Sequence, residues 1–572
     1  MHVETSRSHQ VRKDGTVASY ERHLLRRSFR DGGKVRKETL ANLSHLPPEA
    51  ITAVRAVLAG KTLIDADAAF EVTRSLPHGH AAAVHAMARK LGFPALLGPP
   101  GPQRDLACAL VISRVIRPAS KLSTAGWWDD VTLGPDLDVA GAATDDIYAA
   151  MDWLHGRQDD IEKQLAARHL AEGGIAMFDL SSSWVEGSHC ELAAYGYSRD
   201  GKRGKAQIEY GLLTDKAGRP VAVRVFAGNT ADPKAFPEAV KAVRGTFALE
   251  QIIMVGDRGM ITSARIKDLR QLEGMAWITC LRHPAIKKLM ASGPLQLSLF
   301  DEQDLAEISS PDFPGERLIA CRNPFEAAKR ARTRESLLAA TEADLDTIAA
   351  RVAAGRLKDP DKIGIAAGKI INKRKVAKHF ILDIGEGRIS WRRDQGNIDA
   401  EAATDGIYVI RTPVPAETLD PAAAVAAYKD LAHLERDFRH IKAEDLDLRP
   451  IWHRLEDRVK AHVLICMLAC YLTWHLRQAW APLTYTDENP PARGNPVTPA
   501  RRSPSAAAKA ASKTGPGQQP IRSFRDLIDH LATLTRDTIR VGGQPVGKLA
   551  APTPTQRRAF DLIGAPIPLT LT

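Results

Sequence analysis

Cysteine is scarce and scattered in this chain: Cys108, Cys190, Cys280, Cys321, Cys466 and Cys470 form no CxxC pair. That spacing argues against a disulfide framework or a cysteine zinc site and fits a reducing cytosol. Cys466 and Cys470 stand four apart in an apolar run and are expected in a core. Histidine is no better arranged for metal, because His78, His80 and His85 cluster without a Cys or carboxylate at ligand spacing. Long hydrophobic runs are missing too. The most apolar stretch, 463–474, covers 12 residues between His462 and His475, short of a bilayer span and expected to be a buried helix. The first residues are polar and charged, so no signal peptide is expected. There is no GxxxxGK[ST] loop and no GxSxG elbow, which excludes P-loop nucleotide chemistry and that form of acyl transfer.

What the chain has in excess is positive charge. Across 572 residues, 79 Lys and Arg outnumber 68 Asp and Glu, a net charge of +11. That balance favours an acidic partner, most simply nucleic acid, and is silent on fold. Hydrophobic residues make up 44% of the chain, enough for a sizeable core, and the length suits about three or four domains.

Residues 1–60 are expected to form a basic N-terminal β domain. Strand-like runs at 19–30 and 34–43 flank Gly32-Gly33, a hairpin signal, and Arg22, Arg26, Arg27, Arg30, Lys34, Arg36 and Lys37 charge it. Residues 61–172 turn helical, with a run at 104–116 that stops at Arg117-Pro118. This is a candidate DNA-end-binding region, although a helix-turn-helix reader and a plain helical bundle share the same pattern. Residues 173–283 follow a different grammar. Strands at 175–178, 207–213, 220–227, 251–255 and 276–281, with helices at 233–244 and 263–271, spell βββ-α-β-α-β. That is the first part of an α/β core, a mixed sheet covered by helices. Two of its strands run into aspartates, Asp179 and Asp257, which stand side by side if those strands are neighbours.

Residues 284–427 read as an insertion, with strands at 317–321, 379–384, 388–391 and 406–411 around a helical arm at 325–376. Leu338, Leu345, Ile348 and Val352 form a seam that Ile363, Ala367, Ile370 and Ile371 can face across Pro360. Lys369, Lys373, Arg374 and Lys375 make the arm basic. Residues 428–485 are expected to complete the core. Residues 486–520, rich in Pro, Ala, Ser, Gly and Lys, are expected to be a disordered linker. Residues 521–572 are expected to hold an amphipathic helix, marked by Phe524, Leu527, Ile528, Leu531 and Leu534, and a tail.

The densest chemistry lies at 428–442, where no Pro or Gly interrupts a run of good helix formers. Tyr428, Glu435 and Lys442 are spaced by seven and Arg439 follows Glu435 by four, so a continuous helix puts all four on one stripe. A solvated face with an ordinary Glu–Arg pair has the same pattern, so the stripe needs partners elsewhere. Asp179 and Asp257 supply them. Three carboxylates in a strand-strand-helix context offer oxygen ligands that suit Mg²⁺ or Mn²⁺, which complete their shells with water and substrate phosphate. Two such ions about 4 Å apart can drive an in-line displacement at phosphorus.

On these residues the chain resembles the DDE transposases of bacterial insertion sequences, within them the lineage whose third motif is Tyr-x2-Arg-x3-Glu-x6-Lys. Here that motif reads Tyr428-x2-Leu431-x3-Glu435-x6-Lys442, with Leu431 where the lineage has Arg. The first motif matches Phe178-Asp179-Leu180-Ser181 and the second Val255-Gly256-Asp257-Arg258, and a long strand-rich insertion precedes the Glu helix. The resemblance covers residues 175–480. It implies an RNase H-like mixed-sheet catalytic core with a strand-rich and helical-arm insertion, beside a small N-terminal β domain and a helical region.

The resemblance further implies an enzyme that cleaves the ends of its insertion sequence and transfers the 3′-hydroxyl ends into target DNA. Asp179, Asp257 and Glu435 would hold two Mg²⁺ or Mn²⁺ ions, while Tyr428, Lys442 and Arg258 would contact the DNA strand near the scissile phosphate. Arg439 is expected to take over part of the role of the missing Arg. The implied partners are double-stranded DNA, as terminal inverted repeats and target, and further copies of the chain in a homodimer or higher oligomer. No membrane and no nucleotide cofactor is expected, and the implied place of action is the bacterial cytoplasm, on the nucleoid. Two alternatives remain open at this point: an RNase H-like nuclease without strand transfer, and a catalytically silent DNA-binding descendant. Trp184, just past the first aspartate, either stacks on a base or anchors the core.

Overall fold

Gly32 and Gly33 turn the chain with positive φ of 58° and 84°, a conformation that glycine adopts without a Cβ penalty. The computed structural model describes residues 1–63, 70–491, 494–541 and 544–571. Residues 64–69 of the expected helical region, 492–493 of the expected linker, and 542–543 and 572 of the expected tail lie outside the described residues. The chain divides into two compact units, one made of residues 1–75 with 536–550 and the other of 76–535 with 551–572.

In the first unit the glycine pair joins Val17–Asp31 to Lys34–Asn42, and His2–Val11 pairs with the other edge of the middle strand, all antiparallel. The strand His2–Val11 was invisible in sequence because HVETSRSHQV has no apolar alternation to announce it. Part of the sheet's positive charge is answered internally, since Glu4 meets Arg26 at 3.1 Å and Lys37 at 3.0 Å. The stretch 536–550, expected as tail, instead supplies a hairpin to this unit, Thr535–Val541 with Gln544–Leu549, which joins Phe70–Pro77 in a second three-stranded sheet.

The second unit is built on an eight-stranded mixed sheet. Its strands are β1 (Gly174–Trp184), β2 (Gln207–Asp215), β3 (Pro220–Ala227), β4 (Ile252–Val255), β5 (Met275–Cys280), β6 (Leu305–Ile308), β7 (Arg317–Arg322) and β8 (Ile407–Thr412). The spatial order is β6-β7-β8-β5-β4-β1-β2-β3. β1, β4 and β5 run parallel, and β2 is antiparallel to both its neighbours β1 and β3, which is the RNase H-like arrangement. β6, β7 and β8 come from the expected insertion. They extend the core sheet because β8 pairs with β5, so the insertion does not interrupt the sheet plan as expected. What projects from it is the arm.

The helices Pro324–Ala353 and Pro360–Lys373 bury Leu338, Leu345, Ile348, Val352, Ile363 and Ala367 against one another, with Val376, Phe380 and Ile398 closing the cluster. The hairpin Phe380–Gly385/Arg388–Arg393 packs on it through Leu382, Ile384 and Trp391. The arm therefore has its own core. Some of its basic residues are committed within it, as Arg374 bonds Asp344 at 2.6 Å.

Glu456–Ala479 is the central helix of this unit and packs on Pro102–Ile116, Thr144–Gly156 and β3. It is longer than the apolar run suggested. By length and composition it is apolar enough to cross a membrane, yet 83% of its most apolar window is buried inside the protein, which marks a core helix. Residues 61–172 are helical from Gly79 onward.

The expected linker is corrected by the structure. Val497 is fully buried, Pro504–Ser512 forms a helix, and buried Lys509 donates to the carbonyls of Ala481 at 2.8 Å and Thr486 at 2.7 Å. Composition hides this order because small residues and one lysine stem contribute the contacts where large apolar side chains would be expected. The amphipathic helix Phe524–Ala532 docks back through Phe524, whose ring lies 5.9 Å from Trp480.

Leu345 is fully buried in the arm. Leu345→Ala is expected to cost about 2–5 kcal/mol of local stability. Amide hydrogen exchange checks this: protection should fall across both arm helices and the hairpin while β1 and β4 keep theirs.

Candidate active site

Parallel pairing of β1 with β4 sets Met177 opposite Val255. Two residues further on, Asp179 lies within β1 and Asp257 in the turn just past the end of β4, so the neighbouring strands bring the two acids to the same end of the sheet. Side chains alternate across a strand, so Asp179 shares a face with Ser181, Ser183 and the cross-strand Tyr210. Tyr210 meets Ser183 at 3.1 Å through its hydroxyl, and its ring packs edge-on against Phe438 at 5.8 Å. That contact, with buried Leu434, docks the helix Leu431–Arg439 against β1 and leaves Glu435 exposed.

The three carboxylates sense one another. Burial pushes the Asp179 carboxyl up to about 7, the charges of Asp257 and Glu435 push it the same way, and the Leu180 backbone N–H and Arg199 pull it back. Asp257 spends one oxygen on its own turn, accepting the N–H groups of Gly259 and Met260 at 2.8 Å each. A Cβ at Gly259 would lie 3.2 Å from that oxygen and 3.4 Å from the Asp232 carboxylate, so the absent side chain keeps the space between two acids open. An oxygen-only donor set under mutual repulsion, with a cradle free of side chain, fits a hard divalent cation. Among the described residues no group of three or more His, Cys, Asp or Glu is drawn together into a finished metal shell. The fit is to an ion that takes its remaining ligands from water and substrate.

The continuous helix expected at 428–442 is corrected to three pieces: the helix Pro421–Lys429, the helix Leu431–Arg439 and a π-turn, His440–Glu444. The first break follows Lys429, whose ammonium reaches the carbonyls of Val497 and Thr498. The second buries Ile441 and Lys442. Tyr428 and Glu435 therefore belong to different helices and share no straight stripe. Tyr428 nevertheless lies at the site. Burial raises its phenol pKa, Cys280 and Asp257 add to the rise, and Arg258 opposes it.

Lys442 departs furthest from expectation. Its ammonium is buried and bonded to Asp200 at 2.9 Å, and Arg449 holds the same carboxylate oxygen at 2.6 Å. Arg439 and Arg258 are exposed. Trp184 is neither a buried anchor nor open on both faces, because Lys202 and Arg449 lie 5.2 and 5.0 Å from its ring centre.

Sequence reasoning missed a second charged cluster beside the carboxylates. Arg199 joins Glu209 at 3.3 Å and bonds Asp232, while its backbone N–H donates to Ser182 Oγ at 2.9 Å. Glu209 is buried in the middle of β2, and burial pushes its carboxyl up to about 7 with Arg199 opposing. A charged residue inside an apolar strand was the legible signal for Glu209. Arg199 and Asp200 sit in a Gly- and Lys-rich loop that disguised them.

Because the folded chain raises the Glu209 pKa from 4.5 to about 7, this residue's contribution to stability is complete below 4.5 and is lost as pH rises through about 7. Glu209→Gln, which cannot ionise, should gain stability relative to the parent across that window. Urea unfolding of both proteins at about pH 5 and about pH 8 measures the difference; equal gains at both would contradict the shift.

Comparison with known proteins agrees with this geometry. Residues 178–473 match the transposase DDE domain, and residues 7–68 match the N-terminal domain of the IS1634 family transposases. No curated protein matches the chain. Among solved structures, a piggyBac transposase synaptic complex with hairpin DNA aligns with TM-score 0.34 and 7% identity, covering 76% of this chain and 71% of that one. The DDE match spans more than half of the chain and contains Asp179, β4 and the Glu435 helix, and the chain belongs to the DDE transposases of insertion sequences, metal-dependent enzymes that cut DNA.

Proposed function

We propose that this transposase cleaves the ends of its own insertion sequence and transfers the freed 3′-hydroxyl ends into target DNA. The observation that carries the reading is the convergence of Asp179 on β1 with Asp257 in the turn that ends the parallel neighbour β4, with Glu435 near enough to disfavour the ionised Asp179. On this reading Asp179, Asp257 and Glu435 hold the divalent ions, two of them, Mg²⁺ or Mn²⁺. Such ions, when bound, supply an ionised water or 3′-hydroxyl near neutral pH and positive charge for the leaving oxygen.

The chain's own side chains then have distinct tasks. Tyr428 and Arg258 flank Asp257 and orient the strand, the phenol and guanidinium each donating to phosphate oxygens. Arg439, exposed one turn beyond Glu435, supplies charge that Leu431 lacks. Lys442 turns to the DNA backbone while Asp200 keeps Arg449 as its partner. The partners are the element's terminal inverted repeats and target duplex, engaged by a homodimer or higher oligomer on the nucleoid.

Asp179→Asn, Asp257→Asn and Glu435→Gln should each slow cleavage of terminal DNA by about 10²–10³-fold while still binding it. Full-rate cleavage by any one of them removes that residue from the assignment. With a marked donor end and a target plasmid, the expected result is a joined product; cut ends alone would identify a nuclease. Arg439→Ala should cut more slowly, as Lys442→Ala should. A parental rate for Arg439→Ala beside a slowed Lys442→Ala would show that Arg439 does not stand in for the missing arginine.

A further inference from the structure

A cavity of about 550 Å³ opens between 118–122, Tyr148 and the segment 447–453 that follows the Glu435 helix. Its lining is cationic. Arg114, Lys121 and Arg449 all line it, and Asp447 is the carboxylate among them. Lys121 is buried, and the hydrogen bond its ammonium makes is to His462 Nδ1 at 3.2 Å. His462 Nε2 lies 3.1 Å from the Leu448 carbonyl, so Nε2 carries the ring proton and Nδ1 accepts from Lys121. Arg114 donates to carbonyls, those of Ala119 at 2.9 Å and Leu446 at 3.3 Å. Neither cation is paired with a carboxylate in these bonds. Asp447 answers part of this charge, as burial raises its carboxyl pKa and Arg114 and Arg449 pull it back down. The lining still carries more cations than acids, and burial together with Arg114 holds the Lys121 pKa well below its usual value. An anion entering the cavity would relieve both effects.

Two further observations say which anion. The first is position. Arg449 lines the cavity and shares Asp200 with Lys442. The adjoining segment is tied to the end of β1, as Ile451 N–H donates to Trp184 carbonyl at 3.0 Å and Glu186 N–H to Ile451 carbonyl at 2.9 Å. The cavity therefore adjoins the end of β1 that follows Asp179 and the Lys442–Asp200–Arg449 cluster. The second is Trp452, a lining residue that is 64% exposed. An open indole beside clustered cations is the combination that binds single-stranded nucleic acid, stacking a base while the cations hold the backbone.

We propose that this cavity binds a phosphodiester of a single DNA strand leaving the carboxylate site, with the adjoining base stacked on Trp452. The proposal rests on the DNA-transfer reading above and adds a strand-binding site to it.

The test uses the full chain carrying Asp179→Asn, so that DNA is bound and not cut, with a labelled single-stranded oligonucleotide and its duplex as probes. Trp452→Ala and Lys121→Met should each weaken the single strand about tenfold and leave the duplex within about twofold. Lys121→Met should also lower the log–log salt slope for the single strand by about one. Trp452 is exposed, so its variant keeps the test decisive even where Lys121→Met fails to fold. Single-strand affinity and salt slope unchanged in the folded variants would overturn the proposal while duplex binding leaves the transposase reading intact. A parent that binds neither probe would bring down both. Inorganic phosphate that displaces the strand equally from parent and Trp452→Ala would identify a free-phosphate site and overturn the strand assignment.

Discussion

Repulsion between carboxylates, one on a strand and one in the turn that ends its parallel neighbour, is the constraint on which this structure depends. The β1–β4 pairing sets Asp179 beside the turn that carries Asp257, whose own N–H bonds fix its carboxylate there, and Glu435 adds a third negative charge from its helix. Like charges in a partly buried site are tolerated only with compensation. The chain compensates in part, through Arg199 and the backbone N–H groups that cap Asp257. What remains uncompensated is a site shaped for a cation, which suits a family whose members depend on divalent metal.

The rest of the second unit keeps that arrangement in place. Phe438 on Tyr210 sets the height of the Glu435 helix, and the breaks on either side of it let Tyr428 reach Asp257 while Lys442 turns inward to Asp200. Segments remote in sequence hold those breaks. Lys429 is drawn to the carbonyls of 497–498, and Arg525 on the helix Phe524–Ala532 donates to the Asp445 carbonyl at 2.8 Å just past the π-turn. The loop carrying Arg199 and Asp200 then links the carboxylates to Arg449 and the cationic cavity beyond. Strand placement, helix height and cavity position belong to one connected network.

The insertion combines two kinds of structure. Its strands widen the sheet by pairing β8 with β5, which stiffens the edge beside Tyr428 and Cys280. Its helices and hairpin form a separate small core.

Much was legible before any coordinates. Strand and helix periodicity located the core strands and the arm seam, and the paired Asp-ended strands with Glu435 at a recurring spacing indicated the carboxylate set. Local pattern determines such features because burial on one face of a strand or helix leaves a period in the residues themselves. Three kinds of feature were not legible. Where a helix breaks depends on distant partners, as at Lys429. Whether a lysine is free depends on which acid folds onto it, as at Lys442. Whether a low-complexity stretch is ordered depends on the surface offered to it, as at 497–512. By itself the sequence determined the core strands and the arm seam, whose burial leaves a period in the residues. Only the tertiary structure decided how Tyr428 and Lys442 are turned, which cations answer which acids, and that the buried Lys121 ammonium meets His462, because long-range charge pairing has no period along the chain.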